Sequence, residues 1–540
     1  MLDNRLSLFY FFKFYLKKII RGFFKKKNIL KNKNNLFDSK VIEKKYFKIN
    51  KNKNFKNVLL ICLDEFEIYF FYIWIIAFYS LRGKKFKLKI VTTSKNVVLN
   101  KVIKKLNIEY INIESLINRS IQLNRNLSKK INNLDNFKQF YNFKYDGFDV
   151  GMMIISNFCR IHKVGFVNYN SRVQKFILRK TILKFISEYE IIKNHKFFDN
   201  TQMVFTFEKN LFYYLHFFIL ALKKDFDLIH WSGSNLDEKT FILKKYSKKN
   251  IYSHHSSISD QLWSKIKNFS SKKIIKRNKE IFKNRFLGKY APFSINLIEC
   301  EKDINFEIKK ANDKKNCIIF SHILHDTLYF FGKEFYDSYS HWLISTVKIA
   351  CNNTNVNWFI KIHPSNLYRG EFKKGFSKEE DIIRQEIEHI PPHVKFIYPN
   401  TKINPLAWMK FADIGITIRG TSGLEMAVLD KTVITCGKNR YENKGFTIDP
   451  QNKNEYERII SNLPKIKKIN SKSFMRANLF YNYVFEKKGF NCDFLKTINK
   501  KKLFNWNDVN FKLKKDFDKT KNLKKLKKFL LSKKEIEFIK

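Results

Sequence analysis

The apolar positions of this chain fall into short unbroken runs separated by polar turns. "NVLLICLDEFE" (57–67) is the first. A continuous run of this kind predicts a strand buried on both faces, because a one-sided strand alternates. A helix-length segment over 66–82 follows and ends at Gly83, a residue suited to a left-handed helix cap. "FKLKIVTTS" (86–94) predicts the next strand, with Ser94 capping the helix after it, and "IEYINIES" (108–115) a third. Strands alternating with helices specify βαβ units and a parallel sheet.

The stretch 120–230 reads as mainly helical. Within it, "TQMVFTFEKNLFYYLHFFILALKK" (201–224) predicts a strand running into a long apolar helix whose polar members spoil a membrane span. "FDLIHWSGS" (226–234) and "KNIYSHHSS" (249–257) read as strand-then-loop units, and 264–290 as a lysine-rich helix. A second series then begins. Strands are predicted in "NCIIFSHILHD" (316–326), "VNWFIKIHP" (356–364), "VKFIYPN" (394–400), "DIGITIRG" (413–420) and "KTVITCG" (431–437). Helices are predicted in "EFYDSYSHWLISTVKIACNN" (334–353), "PLAWMKFA" (405–412) and "TSGLEMAVLD" (421–430).

The fold class is therefore α/β, with two Rossmann-like doubly wound domains facing a cleft and basic helical N- and C-terminal extensions. The expected divisions are 1–55 for a basic amphipathic segment and linker, 56–305 and 306–470 for the two domains, and 471–540 for the C-terminal extension. That extension either wraps back over the first domain or stays loose. In doubly wound sheets ligands bind at the carboxyl ends of the strands, near the switch point.

Composition changes this picture in three places. The 540 residues exceed what one core usually holds, in keeping with more than one domain. The formal charge of +56 draws anions such as nucleic acid, acidic lipid or phosphorylated substrates. Its lysines are spread along the whole chain, which argues against a dedicated nucleic-acid domain. The seven cysteines are dispersed without metal-ligand spacing, and several sit in apolar runs, as small buried hydrophobes of a reducing compartment do. No metal is expected. The N-terminus "MLDNRLSLFYFFKFYLKKIIRGFFKKK" breaks its apolar stretch with Lys13, Lys17, Lys18 and Arg21. It suits a helix lying on an anionic membrane surface, or equally one packed on the protein.

The candidate chemistry sits where strands end. "FIKIHP" delivers Lys361, His363 and Pro364 at a carboxyl end. Pro364 suits a helix's first turn, and an imidazole there can hydrogen-bond a phosphate and offset charge as a nucleotide leaves. "ITIRGTSGLEMAV" places Arg419, Thr421 and Ser422 in a small-residue turn into a helix, an anion cradle. Glu425 lies three residues after Ser422, which fits either a capping box or a group accepting from ribose hydroxyls. Tyr441, in "CGKNRYENKGFT", is a candidate for shaping the same site. His322, His325 and Asp326 follow the second domain's first strand and are expected at the cleft. No phosphate-binding glycine loop of NTPase or dinucleotide type occurs.

The segment "WLISTVKIA…FIKIHP…DIGITIRGTSGLEMAVLDKTVITCGKNRYENKGFT" resembles bacterial capsule and surface-polysaccharide biosynthesis proteins. Those are similar to glycosyltransferases of the two-Rossmann GT-B fold, including Kdo and sialic acid transferases. The resemblance covers 317–450 well and the first domain in outline. It implies that His363, Thr421 and Ser422 contact the phosphate of a departing CMP, and that no cofactor beyond the nucleotide-sugar is used. It also implies a carboxylate base in the first domain. Asp64 and Glu65, after the first strand, and Asp146 in "YDGFD" are the candidates; Phe66 departs from the family's acidic-acidic-Gly signature.

The expected activity is metal-independent transfer of a sugar from a nucleotide-activated donor, CMP-linked by preference. The acceptor would be a growing polysaccharide or lipid-linked glycan, at the inner face of the cell membrane and without nucleic acid as partner. A CDP-glycerol-type phosphotransferase, a basic polyanion-binding protein and a non-catalytic export scaffold remain alternatives.

Overall fold

The computed structural model of the chain describes residues 56–63, most of 86–287 and of 308–491, the strand pairs at 497–498 and 503–504, and residues 521–539. The amphipathic N-terminal segment, the helix expected over 66–82 and the candidates Asp64 and Glu65 lie outside the described residues.

The first sheet contains β1 (Lys56–Ile61), β2 (Phe86–Thr92), β3 (Glu109–Asn112), β4 (Thr201–Phe207), β5 (Asp227–Gly233) and β6 (Thr240–Tyr246). Its order is β6-β5-β4-β1-β2-β3, and the short strand Phe490–Asn491 adds to the outer edge of β6. β1 to β5 are parallel; β6 returns antiparallel along β5. The apolar run Val58–Ile61 is buried, as a strand covered on both faces requires. Around the sheet stand α1 (Val150–His162), α2 (Arg172–Lys193) and α3 (Phe212–Lys223). Every residue of α3 from Tyr214 to Leu222 is buried, which explains its apolar surface on all sides: it is a core helix. Among the described residues no helix is long and apolar enough to cross a membrane.

One expected strand is corrected. "KNIYSHHSS" forms a turn and a loop, and the strand lies just before it in β6, "TFILKKY". The hairpin partner decides this: β6 pairs along β5 from Phe241 to Tyr246, burying Phe241, Ile242 and Leu243.

Two helices follow, α4 (Asp260–Ile266) and α5 (Lys272–Phe286). The second sheet holds β7 (Lys315–Phe320), β8 (Val356–Lys361), β9 (Val394–Ile397), β10 (Ile414–Thr417) and β11 (Thr432–Thr435). Its order is β9-β8-β7-β10-β11, and every pair is parallel. Its helices include α6 (Tyr339–Asn352), α7 (Pro405–Phe411), α8 (Thr421–Val428), α9 (Lys453–Ser461) and α10 (Ser471–Asn482). The two sheets thus share one winding. In each, the third, second, first, fourth and fifth strands lie side by side, and the chain changes sides between first and fourth. The switch points are β1/β4 and β7/β10. This is the doubly wound two-domain α/β architecture expected above.

The core locks the halves together. Trp342 of α6 and Trp358 of β8 are fully buried, and their ring N–H groups donate to Tyr456 Oη (2.9 Å) and Asn353 O (3.0 Å). α4 and α5 turn their apolar faces to the second half, where Trp263 meets Phe480 and Phe282 meets Tyr481 on α10. The end of the chain folds back on the first sheet. Lys245 N donates to Ile536 O (2.7 Å) and Phe538 N to Leu243 O (3.2 Å). Lys245 Nζ reaches the last carbonyls of α11 (Lys521–Leu531), at 2.6 Å from Phe529 O, where a cation suits the helix dipole.

Candidate functional site

Along the carboxyl edge of the second sheet, four neighbouring strands deliver His363 (β8), Ser321 and His322 (β7), Arg419 to Ser422 (β10) and Arg440 (β11). At about 4.8 Å per strand, the row spans roughly 15 Å. The strand ends are tied to each other. Ser321 N donates to Lys361 O (3.1 Å), and His363 N donates to Ser321 Oγ (3.0 Å). Ser365 N donates to His363 Nδ1 (3.2 Å), so in the neutral ring Nε2 carries the proton. Pro364 sits before the short helix Ser365–Arg369. Lys361 itself is buried within its strand.

The start of α8 is built with care. Gly420 is its N-cap residue, and its own N–H is spent on Thr417 Oγ1 (3.0 Å). The capping box expected from Ser422 and Glu425 does not form: the helix begins two residues earlier, with Gly420 as its N-cap, so no side chain caps it. The half-buried hydroxyls of Thr421 and Ser422 therefore make no hydrogen bond to described residues. Glu425 is buried and accepts from Arg285 Nε of α5 at 2.6 Å. Tyr441 is also buried, with its hydroxyl donating to Gly420 O (2.8 Å); burial raises its pKa. It supports the cradle from beneath. Gly423 makes room for it, since a Cβ there would lie 2.2 Å from Tyr441 Oη.

Arg419 is already engaged. It pairs with the buried Glu334 and stacks between Phe331 (4.7 Å) and Tyr339 (5.1 Å). Its Nη1 and the Tyr339 hydroxyl both donate to Thr327 O, at 3.3 and 3.0 Å. Thr327 has φ +62, a strained value for a β-branched residue that this surrounding structure enforces. Arg419 thus holds the loop 321–338 rather than offering its charge outward. On that loop the His322 ring packs at a tilt against Tyr339 and donates from Nδ1 to Ile323 O (3.1 Å). Burial, aided by the Arg419 charge, pushes its pKa down to about 4. His325 is buried, and Asp326 lies 3.8 Å from Arg160 of α1, across the domain junction.

Three residues without a signature in the sequence complete the picture. Arg440 is half-buried; its Nε has no hydrogen-bond partner and it has no carboxylate partner among the described residues. From the first domain, the loop after β6 brings His254 and His255. His254 stacks on Phe331 at 4.7 Å and its ring lies tilted against His255 at 4.0 Å. Burial first, then neighbouring positive charges including Arg440, holds both imidazoles neutral. "HH" and "NRY" carried no periodicity or motif, so only the fold could bring them together.

Asp146 belongs elsewhere. Lys223 (2.6 Å), Lys193 (3.2 Å) and the Tyr189 hydroxyl (3.0 Å) surround it. Burial alone would raise its pKa, but these partners outweigh burial and hold it low. It closes a network between α2 and α3. Among the described residues, no group of three or more His, Cys, Asp or Glu side chains is placed to hold a metal.

No protein-family model matches the chain, and no curated protein does. Solved structures do. A beta Kdo 2,4 transferase, KpsC of Thermosulfurimonas dismutans, aligns at 12 % identity and a TM-score of 0.31, over 52 % of this chain and 80 % of its own. The KpsC beta Kdo 2,7 transferase of the same organism aligns at 13 % identity and 0.32, over 54 % and 79 %. A putative UDP-N-acetylglucosamine 2-epimerase of Listeria monocytogenes aligns at 10 % identity and 0.25, over 80 % and 94 %. Scores this low leave the argument to the strand order and the residues above.

Proposed function

We propose that the chain is a glycosyltransferase of GT-B type that binds a nucleotide-activated sugar at the carboxyl edge of its second sheet. The observation that carries this reading is the start of α8. Two hydroxyls and the open N–H groups of a helix N-terminus lie at the switch point, with Arg440, which has no ion-pair partner among the described residues, on the neighbouring strand end. Such a cradle favours a phosphate. His363 Nε2–H donates to the same phosphate and stabilises the charge that grows on it as the glycosidic bond breaks. Thr421 and Ser422 hold the anion from the helix side.

The favoured donor is CMP-linked, and the acceptor a growing surface polysaccharide or lipid-linked glycan. A first-domain carboxylate, Asp64 or Glu65, deprotonates the acceptor hydroxyl. No metal or further cofactor takes part, and the basic N-terminal segment holds the enzyme at an anionic membrane surface. Glu425, paired with Arg285, shapes the nucleoside end of the site through that pair.

Melting the full chain with CMP, CDP, UDP, GDP and a short DNA tests this. A nucleotide at about 100 times its Kd adds roughly 2.7 kcal/mol of stability. A selective shift with CMP supports the donor assignment, and one with UDP or GDP changes only the donor. Stabilisation by DNA alone, lost as salt rises, would replace the transferase reading with polyanion binding.

A further inference from the structure

The two halves each contain a histidine turn of the same construction. In His363-Pro364-Ser365 the serine N–H donates to His363 Nδ1 at 3.2 Å. In His254-His255-Ser256 the serine N–H donates to His254 Nδ1 at 3.0 Å, with Ser256 Oγ also 2.8 Å away. A backbone N–H can only donate, so Nδ1 must accept. Each neutral imidazole therefore carries its proton on Nε2. His254 Nε2 has no hydrogen-bond partner among the described residues.

The loop that carries His254 is fixed by an unusual means. Three buried lysines from separate elements donate to its carbonyls. Lys209 reaches Ile251 O (2.5 Å) and Ser253 O (3.1 Å), Lys244 reaches His254 O (2.8 Å), and Lys488 reaches Ser257 O (2.5 Å). Among the described residues, the carboxylate of Glu537 acts on both Lys244 and Lys488. Positive charge thus gathers behind the loop, and Arg440 adds to it from the second half. The ring of His254 meets that half directly on Phe331. Phe331 in turn touches Arg419, which touches Tyr339, against which His322 packs beside Ser321 and His363.

We propose that His254 is a second imidazole donor to the anionic group bound at the α8 cradle, so that one phosphate is gripped from both domains by His363 and His254. This rests on the nucleotide-binding reading above and adds a first-domain ligand to it. A neutral N–H donor suits the position, because it binds an anion without adding a further buried charge to the lysines and Arg440.

The test is an equilibrium titration of the full chain with whichever nucleotide of the melting series binds. His254→Phe keeps the stack on Phe331 and removes the donor; its affinity should fall roughly ten- to a hundredfold. His254→Gln, which restores an N–H, should recover part of that loss. Should the Phe variant fail to fold, His254→Leu carries the same prediction. Wild-type binding weakened by His363→Phe but unchanged by His254→Phe or His254→Leu would overturn this inference alone. No nucleotide binding by the wild-type chain would overturn the site reading along with it.

Discussion

The two sheets share a strand order but satisfy their buried cations in different ways. In the second half, Arg419 faces Glu334 and Arg285 faces Glu425, so guanidinium meets carboxylate. In the first half, Lys209, Lys244 and Lys488 face backbone carbonyls of one loop. Carbonyl dipoles satisfy the ammonium donors but cancel no net charge. The second half therefore meets its buried guanidinium groups with carboxylates beneath the cradle, while the first half gathers three lysines around one loop with Glu537 acting on two of them. Two buried carboxylates, Glu334 and Glu425, thus lie beneath the site.

The largest expected effect separates the site from its supports. His363→Ala should lower turnover of the donor by about 10²–10³-fold at saturating concentration, as loss of a donor to developing charge does. Unchanged turnover at saturating and at limiting donor would end the assignment of His363. Next, Glu334→Leu strands Arg419 in a buried position and should cost about 3–5 kcal/mol in denaturant unfolding. A loss under 1 kcal/mol would mean that the floor does not depend on that pair.

Gly423→Ala should cost about 1–3 kcal/mol, because its Cβ meets Tyr441 Oη at 2.2 Å and Thr417 Cγ2 at 2.9 Å. Tyr441→Phe in the same chain should return part of that cost, since it removes the nearest atom. Independent, additive losses would show that Tyr441 does not limit the space.

The lysines of the first half give a pH signature that the Arg–Glu pairs lack. Burial lowers the pKa of Lys488 to about 8, against about 10.4 unfolded. Below pH 8 both states are protonated and the full penalty of the buried charge applies. Between about pH 8 and 10.4 the unfolded state binds more protons, so stability rises with pH, by up to about 1.4 kcal/mol per unit. The melting temperature of the wild type should therefore rise relative to Lys488→Met as pH climbs through this window. Parallel curves would show that Lys488 titrates normally. The smallest effect is expected at Lys272 and Lys273, exposed on α5: alanine there should stay within about 0.5 kcal/mol.

What the sequence made legible follows from range. Strands such as Val58–Ile61 and Cys317–Phe320 announce themselves by unbroken apolar runs, and their alternation with helices gives both sheets. His363 and the Thr421–Ser422 turn were legible because strand ends are where ligands bind. The pairings were not. In sequence Arg419 reads as available for a ligand because Glu334 lies far off in the chain, and Tyr441 reads as a contact because nothing local shows its hydroxyl on Gly420 O. Glu425 suggested a capping box, but the helix start at Gly420 sets the register and Arg285 takes the carboxylate. Arg440, His254 and His255 sit in loops without pattern, and their meaning comes only from the docking of one half on the other.

A crystal structure of the chain with CMP tests the central claim most directly. The account predicts the phosphate at the start of α8, with its oxygens about 3 Å from His363 Nε2 and from the Ser422 hydroxyl. A nucleotide bound away from the β7/β10 switch point, or a phosphate turned to solvent with His363 untouched, would contradict it.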